Sequence, residues 1–207
     1  MKKLNSLAVA LTLLGSSIIF NACGTDEPTD NGGGNNNTSN EVVISENIKS
    51  NTTWTKDKTW ILGGRIAVEA GATLTIEAGT VIKGQAGTGA NATALIIARG
   101  AKIDAQGTAS APIIFTSVAD EIESGMIESP NLSNDFNGLW GGLIVLGKAP
   151  CSLKADVPET NIEGVPPTDP NGLYGGNEPA DNSGVIKYVS IRHGGANIGE
   201  GNEINGL

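Results

Sequence analysis

The stretch GATLTIEAGTVIKG, Gly71 to Gly84, alternates Leu74 and Ile76 with Thr75 and Glu77 before breaking at Gly79. A period of two residues places one set of side chains on each face, as in a strand with one buried face. Gly71, Gly79 and Gly84 punctuate the run where the chain must turn. From about Asn40 onward no long stretch has the 3.6-residue period of a helix.

The same pattern recurs. Val68, Gly71, Ala72 and Leu74 are echoed by Ile97, Gly100, Ala101 and Ile103, an offset of 29 residues (100 − 71). Gly79-Thr80 is echoed by Gly107-Thr108 at 28 residues (107 − 79), which predicts a one-residue deletion between copies. A repeat of this length, built from short strands and glycine turns, is the signature of a β-solenoid and excludes helical repeats. APIIFTS (Ala111 to Ser117), LWGGLIVLGKA (Leu139 to Ala149) and GVIKYVSIRHGG (Gly184 to Gly195) continue the series, the last with Ile186, Val189 and Ile191 as an inward set interrupted by a turn. Two polar inserts, Asp120 to Asn137 and Pro150 to Asn182, read as loops thrown out from one side of the stack, where function in such folds usually sits.

The blocks GATLTIEAGTVIKG, ALIIARGAKIDAQGTASAPIIFTS, GLWGGLIVLGKAP, YGGNEPADNSGVIKYVSI and NEINGL occur in this order between about Trp54 and Leu207. Together they resemble a family of Bacteroidetes-type secreted or surface lipoproteins. The resemblance implies an all-β, right-handed parallel β-helix (β-solenoid) over residues 41–207, with no established activity. Members of that family continue past NEINGL with further coils, so the domain is expected to be incomplete at its C-terminus. Glu41 to Lys58 is expected to close its N-terminal edge.

The N-terminus predicts an address. Lys2 and Lys3 precede a mostly apolar run that is short for a membrane span, and Ala22 stands directly before Cys23. Residues 1–22 resemble the signal of a bacterial lipoprotein with Cys23 as the lipidated N-terminus; the simpler alternative is an ordinary signal with an incidental cysteine. Residues 23–40 hold little that can be buried and read as a flexible linker. In lipoproteins of this kind, acids just after the cysteine mark export, which makes Asp26 and Glu27 the expected export signal. The expected location is the outer membrane, facing the cell exterior. Removing Lys2 and Lys3 with the leader leaves 11 basic against 22 acidic residues, a net charge of −11. Such a chain repels nucleic acid. The second cysteine, Cys151, is expected in the core, since lipid on Cys23 leaves it no disulfide partner.

Chemical motifs are sparse. Gly142 to Lys148 approaches a phosphate-binding loop, but four apolar residues make it a strand and Ala149 stands where a hydroxyl is needed. His193, the one histidine, lacks the spacing of a zinc site or a nucleophile elbow and reads as a solvent-facing or turn residue. Asp156, Glu159, Glu163, Asp169, Glu178 and Asp181 lie in the second insert, where an acid pair would suit a glycoside hydrolase; Lys154 is its one cation. DPNG (Asp169 to Gly172) and DNSG (Asp181 to Gly184) offer oxygen ligands that calcium accepts, yet Asx turns explain both, and no cofactor is expected. Trp54, Trp60 and Trp140 are expected in the core or cap, and Tyr174 as the exposed aromatic. The expected function is a lipid-anchored binding or structural module for a glycan or another cell-surface component. The alternative is a carbohydrate-active enzyme, a polysaccharide lyase or glycoside hydrolase, with its catalytic coils beyond Leu207.

Acyl chains hold a protein on a bilayer with about 0.8 kcal/mol per buried methylene. Cys23→Ala is therefore expected to move the protein from the membrane fraction to the soluble one. Unchanged retention, with no acyl label on the wild type, would contradict lipidation.

Overall fold

The structure, a computed structural model, describes residues 40–153, 157–199 and 202–207. The signal peptide, Cys23, Asp26, Glu27 and nearly all of the linker lie outside the described residues, as do Lys154 and Asp156 in the second insert. No helix among the described residues is long and apolar enough to cross a membrane.

Successive coils each contribute one strand to each of three parallel sheets. The first coil holds β1 (Glu41–Ile44), a bridge from Ile48 to Val68, and β2 (Thr52–Trp54). The second holds β3 (Thr59–Leu62), β4 (Arg65–Val68) and β5 (Thr73–Ile76), and the third β6 (Val81–Gly84), β7 (Ala94–Ile97) and β8 (Lys102–Gln106). In the fourth, β9 (Ile113–Ser117) and β10 (Gly142–Val145) are followed, after the small strands β11 (Glu159–Asn161) and β12 (Leu173–Gly175), by β13 (Gly184–Lys187). The chain then enters β14 (Val189–Ile191) and a final pair, β15 (Asn197–Gly199) and β16 (Asn202–Glu203). The stacks run β1-β3-β6-β9-β14, β4-β7-β10 and β2-β5-β8-β13. This is the all-β parallel β-helix that the repeat implies.

The ladders fix which side chains meet. Val68 pairs with Ile97 and Leu74 with Ile103, the 29-residue offset seen in the sequence. Gly71 and Gly100 both take positive φ, 88° and 80°, at matching corners where a side chain would be strained. The second echo is not a ladder register. Val81 pairs with Ile114, 33 residues on (114 − 81), so the expected deletion is an insertion. Its cause is the turn from Gly107 to Pro112, pinned where the Thr108 N–H donates to the Ala111 carbonyl at 3.1 Å.

Alternate residues of each strand point inward and stack on their counterparts one coil away. Trp60, Ile82 and Phe115 form one such column, Ile66, Leu95 and Leu143 another, and Trp54, Ile76 and Ala105 a third. The three tryptophans lie in the core as expected. Trp54 stacks on Trp60 with ring centroids 5.3 Å apart, and Trp140 lies parallel to Phe115 at 6.4 Å while its indole N–H donates to the Arg192 carbonyl. The expected inward set at the last coil is only partly inside. Val189 and Ile191 pack against the core, but Ile186 is 39% exposed because no described strand lies beyond β13.

Both inserts leave the fourth coil, residues 118–141 between β9 and β10 and residues 146–183 between β10 and β13. The second is more than a loop, since β11 and β12 pair antiparallel within it. Cys151 lies there too, exposed, not in the core as expected. It follows Pro150 where the chain has already left the ladder, so no inward position is available to it.

Gly84 has a packing reason. A Cβ there would meet the Trp140 ring at 2.7 Å, whereas one at Gly64 would meet nothing within 4 Å. Gly84→Ala is expected to destabilise by about 1–3 kcal/mol through overpacking, and Gly64→Ala to stay within about 0.5 kcal/mol. Urea unfolding of the two variants checks this; equal effects would contradict the stated packing of Trp140.

Candidate functional site

The site begins on the outer face of the β6-β9-β14 sheet. Because Ile82 and Phe115 point inward, their neighbours Val81, Lys83, Ile114 and Thr116 point outward, the usual alternation. They are nevertheless buried, because the first insert folds back over them and sets Ile122 against Val81 and Ile114. An apolar pair on an outward face needs such a cover, since burial contributes about 25 cal/mol per Å² of apolar surface.

Asp120 fastens this cover. Its side chain is fully buried, and its carboxylate accepts hydrogen bonds from the Thr116 hydroxyl (2.8 Å), the Ile122 N–H (3.0 Å) and the Ser129 hydroxyl (2.7 Å). The Lys83 ammonium donates to its main-chain carbonyl at 2.7 Å. A buried carboxylate is tolerated only when satisfied in this way. Burial alone would push the Asp120 pKa up. Hydrogen bonds from Ser129, Thr116 and the Ile122 N–H, together with His193, outweigh it and hold the carboxyl below the ordinary aspartate value. Asn131 closes the base of the insert, accepting from the Glu121 N–H at 3.0 Å and donating to the Ala119 carbonyl at 3.0 Å.

The far side of the site comes from the end of β14. His193 is a turn residue, with φ of 57°, but its side chain is only 5% exposed and does not face solvent. Its Nδ1 lies 2.7 Å from the Phe136 carbonyl, an acceptor, so Nδ1–H donates to it, while Nε2 lies 3.9 Å from Asp120 Oδ2. Arg192 donates from Nε to the Ser190 hydroxyl (2.9 Å) and from Nη2 to the Ile127 carbonyl (2.6 Å). Between the insert and this turn lies a cleft of about 550 Å³. Ile127, Leu132 and Ile191 give it an apolar flank; Glu128, Ser129, Asn134, Arg192 and His193 supply polar groups.

The acids expected in the second insert are not brought together. Glu159 pairs with Arg99 at 2.5 Å and Glu178 with Lys148 at 3.3 Å. Glu163 accepts from the Glu203 N–H and Asp181 from the Lys148 N–H. Asp169 accepts from the Asn171 N–H at 3.0 Å, and Asn182 from the Gly184 N–H at 2.8 Å, which are the Asx contacts anticipated for DPNG and DNSG. Tyr174 is half-buried against the Ile96, Leu146 and Val165 cluster, so the expected exposed aromatic instead packs the insert toward β7. Among the described residues, Phe136 and Tyr188 are the exposed rings, at 51% and 54%. The residues 142–148 run is a strand at its start, as anticipated. Sequence reasoning did not single out Asp120 or Arg192 as site residues; outward-facing Lys83 and Thr116 in otherwise apolar strands were the available signal.

Stacked parallel coils with an insert folded over one sheet face define a β-helix domain. Residues 46–207 match the family described as pectate-lyase like beta helix domain, and the chain belongs to that family. Comparison with curated proteins gives no match. Comparison with solved structures gives none either.

A carboxylate with a depressed pKa stabilises the fold above its unfolded value, and that contribution is lost as the pH falls through the folded value. For Asp120 the loss therefore falls below 3.8. Asp120→Asn is expected to cost about 1–3 kcal/mol at neutral pH. Urea midpoints measured against pH should converge for the two proteins in acid; parallel curves would contradict a charged Asp120 held by the insert.

Proposed function

We propose that this protein is a lipid-anchored β-helix displayed at the cell surface, and that it binds a glycan non-covalently in the cleft between the first insert and the end of β14. The observation that carries the reading is the make-up of that cleft. An apolar flank of Ile127, Leu132 and Ile191 suits the face of a sugar ring, and Ser129 and Asn134 lie beside it for hydroxyl groups. The sequence of Cys23 and its surroundings supports the anchor, and the following acids Asp26 and Glu27 support outward export. Strands spaced about 4.8 Å apart make a stiff mount for the site.

Membership of a pectate-lyase-like family favours a second reading, a carbohydrate-active enzyme. Acid–base hydrolysis by paired carboxylates needs two acids flanking one bond. Glu128 is the one carboxylate among the described residues that lines the cleft, and Asp120 is committed to its own buried partners. This speaks against hydrolysis by an acid pair in the cleft.

A glycan array followed by a product assay on each bound glycan separates the two readings. Binding with no depolymerisation is expected. Depolymerisation abolished by Glu128→Gln would overturn the binding-module reading.

A further inference from the structure

One imidazole joins three pieces of the structure. Asp120 at the start of the first insert, Phe136 near its end and His193 just past β14 meet at the His193 ring, whose side chain is 5% exposed. Nδ1–H donates to the Phe136 carbonyl. In a neutral ring that leaves Nε2 an acceptor, facing Asp120 Oδ2, also an acceptor, at 3.9 Å. Oδ2 nevertheless has room for a donor. An ionised carboxylate oxygen offers two lone pairs, and Oδ2 accepts from the Thr116 hydroxyl, whereas the Ile122 N–H and the Ser129 hydroxyl both go to Oδ1. Protonation of the ring turns Nε2 into the donor that this position takes. A charge-assisted bond of about 2.8 Å needs a closure of about 1 Å.

We propose that His193 is a pH-dependent clamp on the first insert: the charged ring ties Asp120 through Nε2–H and Phe136 through Nδ1–H, and the neutral ring holds Phe136 alone. Histidine is the side chain whose ordinary charge change falls between about pH 5 and 8. The charges around the ring leave that step to it. Asp120 stays ionised over this range, its carboxyl being held below 3.8. Lys83 of β6 is bound to the Asp120 main-chain carbonyl, and Arg192, beside His193, is tied to Ser190 and the Ile127 carbonyl. Arginine keeps its proton in proteins. Strands β9 and β14 bring no titratable side chain. The other acids of the insert, Glu121, Glu123, Glu128 and Asp135, are exposed, and Glu128 lines the cleft together with His193. Because the extra bond exists only with the charged ring, it holds the insert in mild acid and is lost as the pH rises through the imidazole titration. Asp120 gives up its own contribution only below 3.8, so the hold is greatest between the two. The insert and the end of β14 are the two walls of the cleft, so the clamp sets how firmly those walls are joined, whatever the cleft binds.

His193 is the one histidine of the chain, so its ring signals are unambiguous. Proton–nitrogen correlation NMR of the ring is expected to show Nδ1–H in the neutral tautomer and both nitrogens protonated in mild acid. A neutral ring protonated at Nε2 would overturn the proposal. Amide exchange of the wild-type protein at about pH 5.5 and 8, with each rate divided by that of an open amide at the same pH, reads the clamp at Ile122 and Leu132. Protection there, relative to Ile114 in β9, is expected to be about tenfold higher at the lower pH. His193→Asn keeps an amide donor near the position of Nδ1 and does not titrate. Asparagine also tolerates the left-handed backbone of residue 193, whose φ is 57°. In this variant the difference between the two pH values is expected to disappear. Equal relative protection at both pH values in the wild type, or an unchanged difference in His193→Asn, would overturn the proposal. The first two measurements use the wild-type chain and decide the matter even where the variant fails to fold.

Discussion

Every coil of this protein depends on its neighbours for its backbone hydrogen bonds. A strand such as β7 has no hairpin partner of its own; its N–H and C=O groups are satisfied by β4 on one side and β10 on the other. This constraint sets the register, and register sets the core. Trp60, Ile82 and Phe115 meet because the ladders leave them no other place, and residues on intervening positions are forced outward. It also governs where extra sequence can go. Insertions must leave at corners, as the Gly107 to Pro112 turn and both long inserts do, because a break inside a strand would orphan groups on the coils to either side.

Outward residues of such a stack normally meet water. Where the first insert returns over β6 and β9, they are buried instead, and a carboxylate is drawn in with them. Asp120 is held by hydroxyl and amide donors from both the sheet and the insert, so the cover and the ladder share one set of polar contacts. His193 joins the same cluster from the end of β14 by its contacts to Phe136 and Asp120. The cleft is the space left between these two attached pieces. Three of its polar residues, Ser129, Arg192 and His193, are also engaged in holding the insert down.

The architecture was legible in the sequence because inward residues are apolar and recur at a fixed spacing. Gly71 and Gly100 mark equivalent corners, and the Leu74 and Ile103 pairing follows from them. The reading slipped where a turn changed length: nothing in Gly107-Thr108 betrays that the next strand starts late. Single residues without a periodic context were read poorly. Cys151 is small and apolar, but it lies past the last ladder position, and Tyr174 is covered by packing against a cluster that includes Ile96 of β7, which no local pattern announces. The candidate site was the least legible part. Asp120 and His193 are 73 residues apart in the chain (193 − 120), and they come within 3.9 Å only because β14 stacks on β9 across both inserts.

The account turns on the first insert being fastened to the ladder as firmly as the coils are to one another. Amide hydrogen exchange at Ile122 and Leu132, whose N–H groups donate to the Asp120 carboxylate and the Ser129 hydroxyl, measures this directly. Protection comparable to that of Ile114, which lies within the β9 ladder, is the predicted result. Exchange of Ile122 and Leu132 at the rate of an open loop, with Ile114 still protected, would contradict it.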